Sequence, residues 1–313
     1  MSFLLSPIDQ YSQFSDFLEF DLRIKRDDLY PAVGGGNKAR KIQYILKYAV
    51  ENGFDALVTN GGLQSNHARA TALASAASGM HCSLVLHTEA PDQVRHLAGN
   101  LMLMGMSGAE LRFCQLGDLK DAMDEEMKRL TDEGLKPLYV WGGGHCVQGS
   151  VAYFEAAREA RDQCGGWLPD YVVHASGTGT TQAGLVAGYA DLSTRVIGIS
   201  VAREKDRGTQ VVEESLSELG DYLKMNLSEA HVDFRDDWIE GGYERSSDRL
   251  LQAIDQAARK GLVLDPTYTG KAFLGMKELI EAGEIPHRSK VLFWHTGGLL
   301  NLLSSPVYLK KTV

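Results

Sequence analysis

The chain has 313 residues, of which 44% are hydrophobic and 23% are charged. This composition is typical of a folded protein with a large buried core, and the length favours two domains over one. The 41 acidic residues outnumber the 32 basic ones and give a formal charge of -9, which argues against a nucleic-acid partner. Charged runs such as residues 23–28 mix both signs, so we expect a solvated, self-paired surface there.

The cysteines predict neither a zinc site nor a disulfide framework, because Cys82, Cys114, Cys146 and Cys164 form no C-x-x-C pair. Met1-Ser2-Phe3 begins without the basic and apolar regions of a secretion signal, and no apolar run is long enough to cross a bilayer. With reduced thiols, these features predict a cytoplasmic chain that is neither secreted nor inserted in a membrane.

Short β-branched or apolar runs alternate with longer amphipathic runs along the chain. In order, they predict strands at 56–59, 83–86, 137–140, 171–174 and 196–199, and helices at 65–77, 91–104, from about 148 and from about 180. This alternation predicts an α/β fold with mostly parallel strands and helices on both faces. Ligands would then bind where the carboxyl ends of strands meet the amino ends of helices.

Glycine-rich turns fall at the predicted strand-to-helix junctions, at residues 34–38, 60–67 and 176–184. In the last of these, glycines alternate with hydroxyl residues from Ser176 to Thr181 just before a helix. N–H and O–H donors then converge at the positive end of the helix dipole, which predicts a phosphate site. A turn whose hydroxyls only cap the helix is the alternative. The spacing fits neither a Walker loop nor a dinucleotide fingerprint.

Lys38 opens a predicted helix directly after three glycines, at residues 34–36. A cation at this position opposes the helix dipole unless its charge is lowered or an anion is nearby. A covalent bond to a carbonyl cofactor would explain it, because a lysine of lowered pKa readily forms an imine. Lys41, one turn later, could then reach the phosphate. The alternative is an ordinary exposed helix residue.

Five motifs occur in order: residues 26–29 with 35–41, then 64–69, 180–184, 264–272 and 295–298. Together they closely resemble the D-cysteine desulfhydrase and 1-aminocyclopropane-1-carboxylate deaminase family of fold-type II pyridoxal-phosphate enzymes. The resemblance implies two open, twisted α/β domains with pyridoxal 5'-phosphate in the cleft between them. The large domain would comprise residues 1–48 and 149–313, and the small domain residues 49–148. Family members are commonly homodimers.

The resemblance also implies roles for single residues. Lys38 matches the Schiff-base lysine, Ser65 a hydroxyl near the substrate carboxylate and the Cα proton, and Tyr268 a tyrosine near the imine. Asn66 would bind the phenolic oxygen of the cofactor and Thr296 would face its pyridine nitrogen; the other cofactor contacts would come from Lys41, Gly177, Thr178, Gly179, Thr180, Thr181 and Thr269. Substrate contacts are expected from Gln64, Ser65, Asn66, His67, Tyr243 and Tyr268.

Some of these residues have simpler readings. Ser65 could be a plain helix N-cap, and Tyr243 could be half-buried packing. Where desulfhydrases usually read Gly-Gly-Ser-Asn after a strand, this chain has Gly143-Gly144-His145-Cys146, so His145 is either a substrate ligand or a turn residue that fills space. Residues 204–242 also match the family poorly, and a pocket wall or lid could differ there.

Thr269 is the residue that discriminates best between reactions. In the cyclopropane deaminases the tyrosine of this motif is followed by glutamate, whereas Tyr268 is followed by Thr269, as in the desulfhydrases. A neutral Thr296 at the pyridine nitrogen would also make the ring a weaker electron sink. We therefore expect a lyase that catalyses α,β-elimination of a small amino acid, with D-cysteine giving pyruvate, hydrogen sulfide and ammonia.

Other activities stay open on the sequence alone. They are deamination of 1-aminocyclopropane-1-carboxylate, a lyase for cysteate or another β-substituted alanine, and a dehydratase, racemase or β-replacement enzyme of the same fold. A non-catalytic sensor of a phosphate ligand is a reading from a different class. A sensor would need the phosphate site but not Lys38, Ser65, Asn66 and Tyr268 together.

Overall fold

The structure is a computed structural model that describes residues 4–11, 14, 20–32, 34–95 and 97–309; the predictions made on residues 1–3 lie outside this part. The strands are β1 (Ile8–Gln10), β2 (Asp21–Arg26), β3 (Ala56–Gly62), β4 (His81–His87), β5 (Glu110–Cys114), β6 (Pro137–Val140), β7 (Tyr171–Ser176), β8 (Arg195–Ser200), β9 (Asp233–Arg235) and β10 (Lys290–His295).

The α-helices are α1 (Gly36–Glu51), α2 (Asn66–Ser78), α3 (Gly99–Met106), α4 (Leu119–Asp132), α5 (Val147–Cys164), α6 (Thr180–Tyr189), α7 (Lys205–Leu223), α8 (Asp248–Ala258), α9 (Thr269–Glu281), α10 (Leu299–Leu303) and α11 (Pro306–Leu309). Single turns of 3₁₀ helix lie at Asp27–Leu29, Pro91–Gln93 and Leu116–Asp118. Within the described residues, no helix is long and apolar enough to cross a membrane.

The described strands form two sheets. The larger has the order β1-β2-β10-β7-β8-β9 and is parallel except for the edge pair β1 and β2, while the smaller, β5-β4-β3-β6, is parallel throughout. The predicted α/β class with mostly parallel strands is therefore confirmed. Since parallel strands end at a common edge, each sheet gathers its strand-to-helix turns on one side.

Helices cover both faces of the larger sheet. Along β7, Val172 packs against α5, α6 and α7, and the next residue, Val173, packs against α8 and α9 on the opposite face. Both valines are fully buried, as expected for strands whose two faces are covered. The smaller sheet is arranged in the same way, with α4 against Val58 and α2 and α3 against Leu84.

Helix α1 connects the two parts. From Ile42 to Ala49, its apolar side chains pack with Leu57 and Val140 of the smaller sheet. Near its start, Arg40 pairs with Glu159 of α5 on the larger part, at 2.6 Å. The two sheets agree with the expected two-part organisation, but domain boundaries at residues 49 and 148 remain a prediction.

Two expectations from the sequence were wrong. The charged run 23–28 is self-paired only between Arg26 and Asp28 and is not a solvated surface, because Lys25 and Asp27 are fully buried and Lys25 pairs with the distant Glu159. A single helix over 91–104 is also absent: the described chain there forms one 3₁₀ turn, and α3 begins only at Gly99, whose φ is +56°. A Cβ on Gly99 would lie 2.5 Å from the Gln64 side chain, so the chain bends to accept that contact.

Candidate active site

A cavity of about 370 Å³ lies where the turns of the two sheets face each other. Eleven of the residues expected at the site line it: Lys38, Ser65, Asn66, His67, Gly177, Thr178, Gly179, Thr181, Tyr243, Tyr268 and Thr296. Five expected residues do not line it: Lys41, Gln64, His145, Thr180 and Thr269. Most of the expected set, drawn from six separate stretches of sequence, is therefore brought together by the fold.

Lys38 projects into this cavity from the first turn of α1. Its Nζ donates a hydrogen bond to the carbonyl oxygen of Gly143, at 2.9 Å. Desolvation in the cavity lowers the pKa of Lys38 to about 8. With this pKa, roughly a tenth to a fifth of the amine is neutral between pH 7 and pH 7.4, and the neutral form is the one that attacks a carbonyl.

Close backbone packing fixes the position of Lys38. Gly36 has φ of +86°, and a Cβ there would lie 2.8 Å from the carbonyl oxygen of Thr296. The next residue, Asn37, donates its N–H to that same oxygen at 3.0 Å. Only glycine permits this approach, and it places the start of α1 beside the end of β10.

The turn between β7 and α6 provides donors that have no partner in the described chain. The hydroxyls of Ser176 and Thr178 are buried without a hydrogen-bond partner there. Lys41, also buried, donates from Nζ to the hydroxyl of Thr180 at 2.7 Å, behind the cavity wall. Desolvation and the charge of Lys38 hold the pKa of Lys41 well below its usual value. The unpartnered hydroxyls and the amino end of α6 thus provide a place where an anion would be stabilised, with the amine of Lys41 bonded to the first residue of that helix.

Ser65 and Asn66 reach the cavity from the start of α2. Ser65 is the N-cap of the helix and accepts a hydrogen bond from the N–H of Ala68 at 3.1 Å, so the simpler reading of this serine holds as well. Asn100 donates from Nδ2 to Oδ1 of Asn66 at 3.0 Å, which leaves Nδ2 of Asn66 as its donor toward the cavity. Gln64 points away, because its amide bonds Asn100 and Ala98.

The hydrogen bonds of His67 determine which of its nitrogens carries the proton. The single hydroxyl hydrogen of Thr59 is donated to the carbonyl oxygen of Val140 at 2.7 Å. Nε2 of His67, 2.9 Å from the same hydroxyl oxygen, must therefore donate to it, which leaves Nδ1 as an acceptor. Desolvation and the nearby Lys38 and Lys41 hold the pKa of His67 well below its usual value, so the ring is neutral.

Tyr243 and Tyr268 meet at the other side of the cavity. Their hydroxyl oxygens are 2.5 Å apart and their rings pack edge to face, with centroids at 6.0 Å. Desolvation raises the pKa of Tyr243 to about 12 and that of Tyr268 well above its usual value. Both phenols keep their protons at neutral pH. One of the two phenolic hydrogens forms the hydrogen bond between the tyrosines, and the other does not take part in it.

Comparisons with known proteins agree with this geometry. The sequence model of the family described as "pyridoxal-phosphate dependent enzyme" matches residues 4–297. The chain belongs to the pyridoxal-phosphate dependent enzyme family. A curated relative, the D-cysteine desulfhydrase of Yersinia enterocolitica serotype O:8 / biotype 1B (strain NCTC 13174 / 8081), is 35% identical over 300 residues, which cover 94% of this chain and 91% of that protein.

Solved structures place the chain in the expected fold class. An ACC deaminase homologue is 33% identical with a TM-score of 0.86, covering 96% of this chain and 93% of that one. A pyridoxal 5'-phosphate-dependent aspartate racemase (17% identical, TM-score 0.70, covering 96% and 92%) and threonine deaminase isoform 2 from Solanum lycopersicum (16% identical, TM-score 0.68, covering 97% and 83%) share the fold. The predictions of a fold-type II enzyme and of pyridoxal phosphate as its cofactor are confirmed.

The described residues fit this cofactor. Lys38 supplies an amine of lowered pKa for its aldehyde, and the unpartnered hydroxyls of Ser176 and Thr178 supply donors for its phosphate. The donor Nδ2 of Asn66 suits an oxygen acceptor such as the phenolic oxygen of the ring. Together these residues supply one cavity with an amine, an amide donor and hydroxyl donors suited to an anion.

Thr269 does not line the cavity, so its predicted contact with the cofactor remains a prediction. It is fully buried, and its hydroxyl lies 2.8 Å from Oδ1 of Asp265. Asp265 also accepts the N–H groups of Thr267, Tyr268 and Thr269, each at 2.9 Å. This carboxylate thereby caps α9 and fixes the turn that carries Tyr268.

His145 lies against the turn between β7 and α6, where the phosphate site is predicted. Its Nδ1 is 2.8 Å from the carbonyl oxygen of Thr178, and since a carbonyl only accepts, the ring donates this bond. The geometry therefore favours the reading of His145 as a turn residue that braces the loop. Its expected contact with the substrate is not supported by the shape of the cavity, which it does not line.

Sequence reasoning missed several residues that line the cavity: Asn60, His87, Leu119, Trp141 and Arg203. Arg203 follows β8 and donates from its guanidinium to the carbonyl oxygen of Gly177. His87 ends β4, and its position at the carboxyl end of a predicted strand was a signal that could have found it. Trp141 follows β6 and carried the same signal.

Proposed function

We propose that this enzyme is a lyase that converts D-cysteine and water to pyruvate, hydrogen sulfide and ammonia. The observation that carries the proposal is the placement of Lys38, Ser65 and Tyr268 around one cavity that the glycine-rich turn before α6 also lines. The 35% identity to a D-cysteine desulfhydrase, over 94% of the chain, supports this choice of substrate.

The proposed chemistry divides between cofactor and protein. When bound, pyridoxal phosphate supplies an aldehyde that condenses with amines and a ring that withdraws electrons from the substrate Cα. Lys38 holds the cofactor in the resting enzyme. When it is not bonded to the cofactor, the Nζ of Lys38 would be the base that accepts the proton from the substrate Cα.

We assign the substrate carboxylate to the start of α2. The Ser65 hydroxyl already accepts the N–H of Ala68, so its own hydrogen is free to be donated into the cavity. The amino end of the helix adds a favourable field for a carboxylate. Holding the carboxylate there would orient the Cα–H bond relative to Lys38.

Tyr243 and Tyr268 are the proposed donors to the leaving sulfur. Breaking the Cβ–S bond leaves the electron pair on sulfur, and a proton donor nearby stabilises the charge that develops. The pair holds two phenolic hydrogens and uses one in its internal hydrogen bond, so one remains for the leaving group. The raised pKa of each phenol keeps that hydrogen in place at neutral pH.

Two alternative substrates have specific support. The likeness to an ACC deaminase homologue, at 33% identity, favours 1-aminocyclopropane-1-carboxylate, although Thr269 replaces the glutamate of those deaminases. Arg203 favours cysteate, because a guanidinium in the cavity wall can bind a sulfonate. Both belong in the same assay.

The proposal is tested by incubating the purified enzyme with D-cysteine, L-cysteine, cysteate, β-chloroalanine, D-serine and 1-aminocyclopropane-1-carboxylate, and measuring 2-oxo acids. We expect pyruvate and sulfide from D-cysteine with the highest kcat/KM. Release of 2-oxobutyrate from the cyclopropane substrate, without pyruvate from the others, would assign the deaminase activity instead. Faster turnover of cysteate would assign the sulfonate lyase.

We also infer a homodimer and a cytoplasmic location. The dimer is supported by the family resemblance and is tested by light scattering of the purified protein. The location is supported by four cysteines that are all free thiols in the structure, three of them buried. Cell fractionation tests it. The proposed division into residues 1–48 with 149–313 and residues 49–148 is tested by limited proteolysis.

A further inference from the structure

The loop that carries Tyr243 has an unusual backbone. It joins β9 to α8 and contains four residues with positive φ: Glu240 at 53°, Gly241 at 84°, Gly242 at 125° and Glu244 at 57°. Left-handed backbone is unfavourable for glutamate, and such strain persists only where the surroundings impose it. Tyr243 sits in this stretch; it is 48% exposed and packs edge to face against Tyr268.

A buried lysine holds the loop from below. Lys271, in the first turn of α9, is fully buried, and its Nζ donates to the carbonyl oxygens of Ile239 at 2.8 Å and Gly242 at 2.7 Å. A third bond, of 2.9 Å, goes to the carbonyl oxygen of Val201, a residue of the cavity wall. Lys271 thus ties two separate segments of the wall to the helix that follows Tyr268.

Three carbonyl acceptors use all three hydrogens of an ammonium group, whereas a neutral amine has only two. No carboxylate lies within ion-pair distance of Lys271 in the described part of the chain. Glu240, the nearest acid of the loop, is buried and pairs instead with Arg249 at 2.6 Å. Burying a cation without a direct ion pair lowers the stability of the folded protein. We therefore expect the three hydrogen bonds of Lys271 to have a functional role.

The helix itself does not depend on this lysine. Ala272, Phe273, Met276 and Leu279 bury the inner face of α9 in the core of the larger sheet. Asp265 caps its start through three backbone N–H groups. Two of the three hydrogen bonds of Lys271 are made with the loop, and the third is made with Val201, a core residue that also lines the cavity.

We propose that Lys271 is a positioning residue that holds the 239–242 segment so that the hydroxyl of Tyr243 meets that of Tyr268 in the cavity. This inference rests on the proposed function, which gives the two phenols a role at the leaving group. Lys271 touches neither substrate nor cofactor. It acts through Tyr243, whose neighbour Gly242 it binds directly.

Hydrogen exchange tests the positioning independently of activity. The holoenzyme and its Lys271→Met and Lys271→Gln variants are compared by hydrogen–deuterium exchange at residues 236–247. Lys277→Met is the matched control, because Lys277 lies on the same helix and, among the described residues, its ion pair is with Glu281 one turn later, at 3.2 Å. We expect faster exchange of the loop in the graded order Met, Gln, wild type, with the control equal to wild type. Should the Met variant fail to fold, the Gln variant carries the comparison.

Kinetics test the coupling to Tyr243. Misplacing one phenol lowers kcat/KM for D-cysteine by about a hundredfold in Lys271→Met, with an unchanged cofactor spectrum. Tyr243→Phe then costs activity in the wild type but little more in the Lys271→Met background, because the two changes remove the same contact. Additive losses in the double variant, or unchanged exchange of the loop, would overturn the proposal. If the wild type does not act on D-cysteine, the proposed function fails, and the exchange experiment alone decides the role of Lys271.

Discussion

The positively charged side chains on two sides of helix α1 differ in whether a carboxylate neutralises them. On one side, Arg40 pairs with Asp27 at 2.8 Å and with Glu159 at 2.6 Å, in a cluster that also buries Lys25. On the other side, Lys38 and Lys41 have no carboxylate within ion-pair distance among the described residues. Burial opposes the negative charge of Asp27, but the nearby Arg40 holds the pKa of Asp27 well below its usual range. Desolvation lowers the pKa of both Lys38 and Lys41.

The difference shows what each side is for. The Arg40 cluster is neutralised by the chain itself, so it can hold α1 in place without a ligand. The lysine side has no such partner among the described residues, and we propose that the phosphate of the cofactor supplies the compensating anion. Helix α1 thus contributes both to a structural ion-pair cluster, around Arg40, and to the binding site, through Lys38 and Lys41. Only the charges of the structural cluster are already paired.

Removing Lys38 should have the largest effect. In Lys38→Ala, the amine that holds the cofactor and moves the Cα proton is lost, so we expect kcat to fall by about a thousandfold or more. The absorption band of the lysine-bound cofactor should disappear as well. Retained colour and turnover would show that another amine, such as Lys41, holds the cofactor.

Breaking the paired side should mainly affect stability. Glu159→Gln leaves Arg40 and Lys25 short of a buried carboxylate, and we expect the free energy of unfolding in urea to fall by about 3–5 kcal/mol. Glu155→Gln, an exposed position on the same helix, is the control and should cost under about 1 kcal/mol. Equal losses at the two positions would mean that the cluster does not hold α1.

Lys41→Met should separate the two sides most sharply. Without cofactor, removing an uncompensated buried charge should not lower stability, in contrast to Glu159→Gln. The affinity for pyridoxal phosphate should fall about tenfold to a hundredfold, because a charge-assisted bond to the phosphate is lost. Titration with pyridoxal, which lacks the phosphate, should show no such difference between variant and wild type. An equal loss for both aldehydes would contradict the assignment of Lys41 to the phosphate.

The pH dependence of cofactor attachment gives the smallest effect. Only the neutral form of Lys38 reacts, and with a pKa of about 8 its neutral fraction rises as the pH rises. Between pH 7 and pH 9, the rate of reconstitution of the cofactor-free protein should increase about tenfold and then level off. A rate that keeps rising through pH 10 would be that of an ordinary exposed lysine.

The same contrast explains what the sequence could predict. Lys38 closely follows three glycines, and the Ser176–Gly184 turn is one short segment. Because the chemistry of each motif can be judged from adjacent residues, the sequence alone could predict an anion site there. The Arg40 cluster could not, because Lys25 and Glu159 are 134 residues apart and the run around Lys25 looks like a surface. Gln64, His145 and Thr269 do not line the cavity, because the direction of each side chain depends on a partner that local sequence does not reveal: Asn100, the Thr178 carbonyl or the buried Asp265 cap.

The central claim is that the side chain of Lys38 binds the cofactor. Lys38, Lys41 and Lys271 are all buried or cavity-lining lysines with lowered pKa. Lys41 and Lys271 are therefore the alternative residues to which the cofactor could be attached. Holoenzyme reduced with borohydride and digested should yield a pyridoxyl group, located by mass spectrometry, on the peptide that contains Lys38. The same group on Lys41 or Lys271, or on no lysine, would contradict the account.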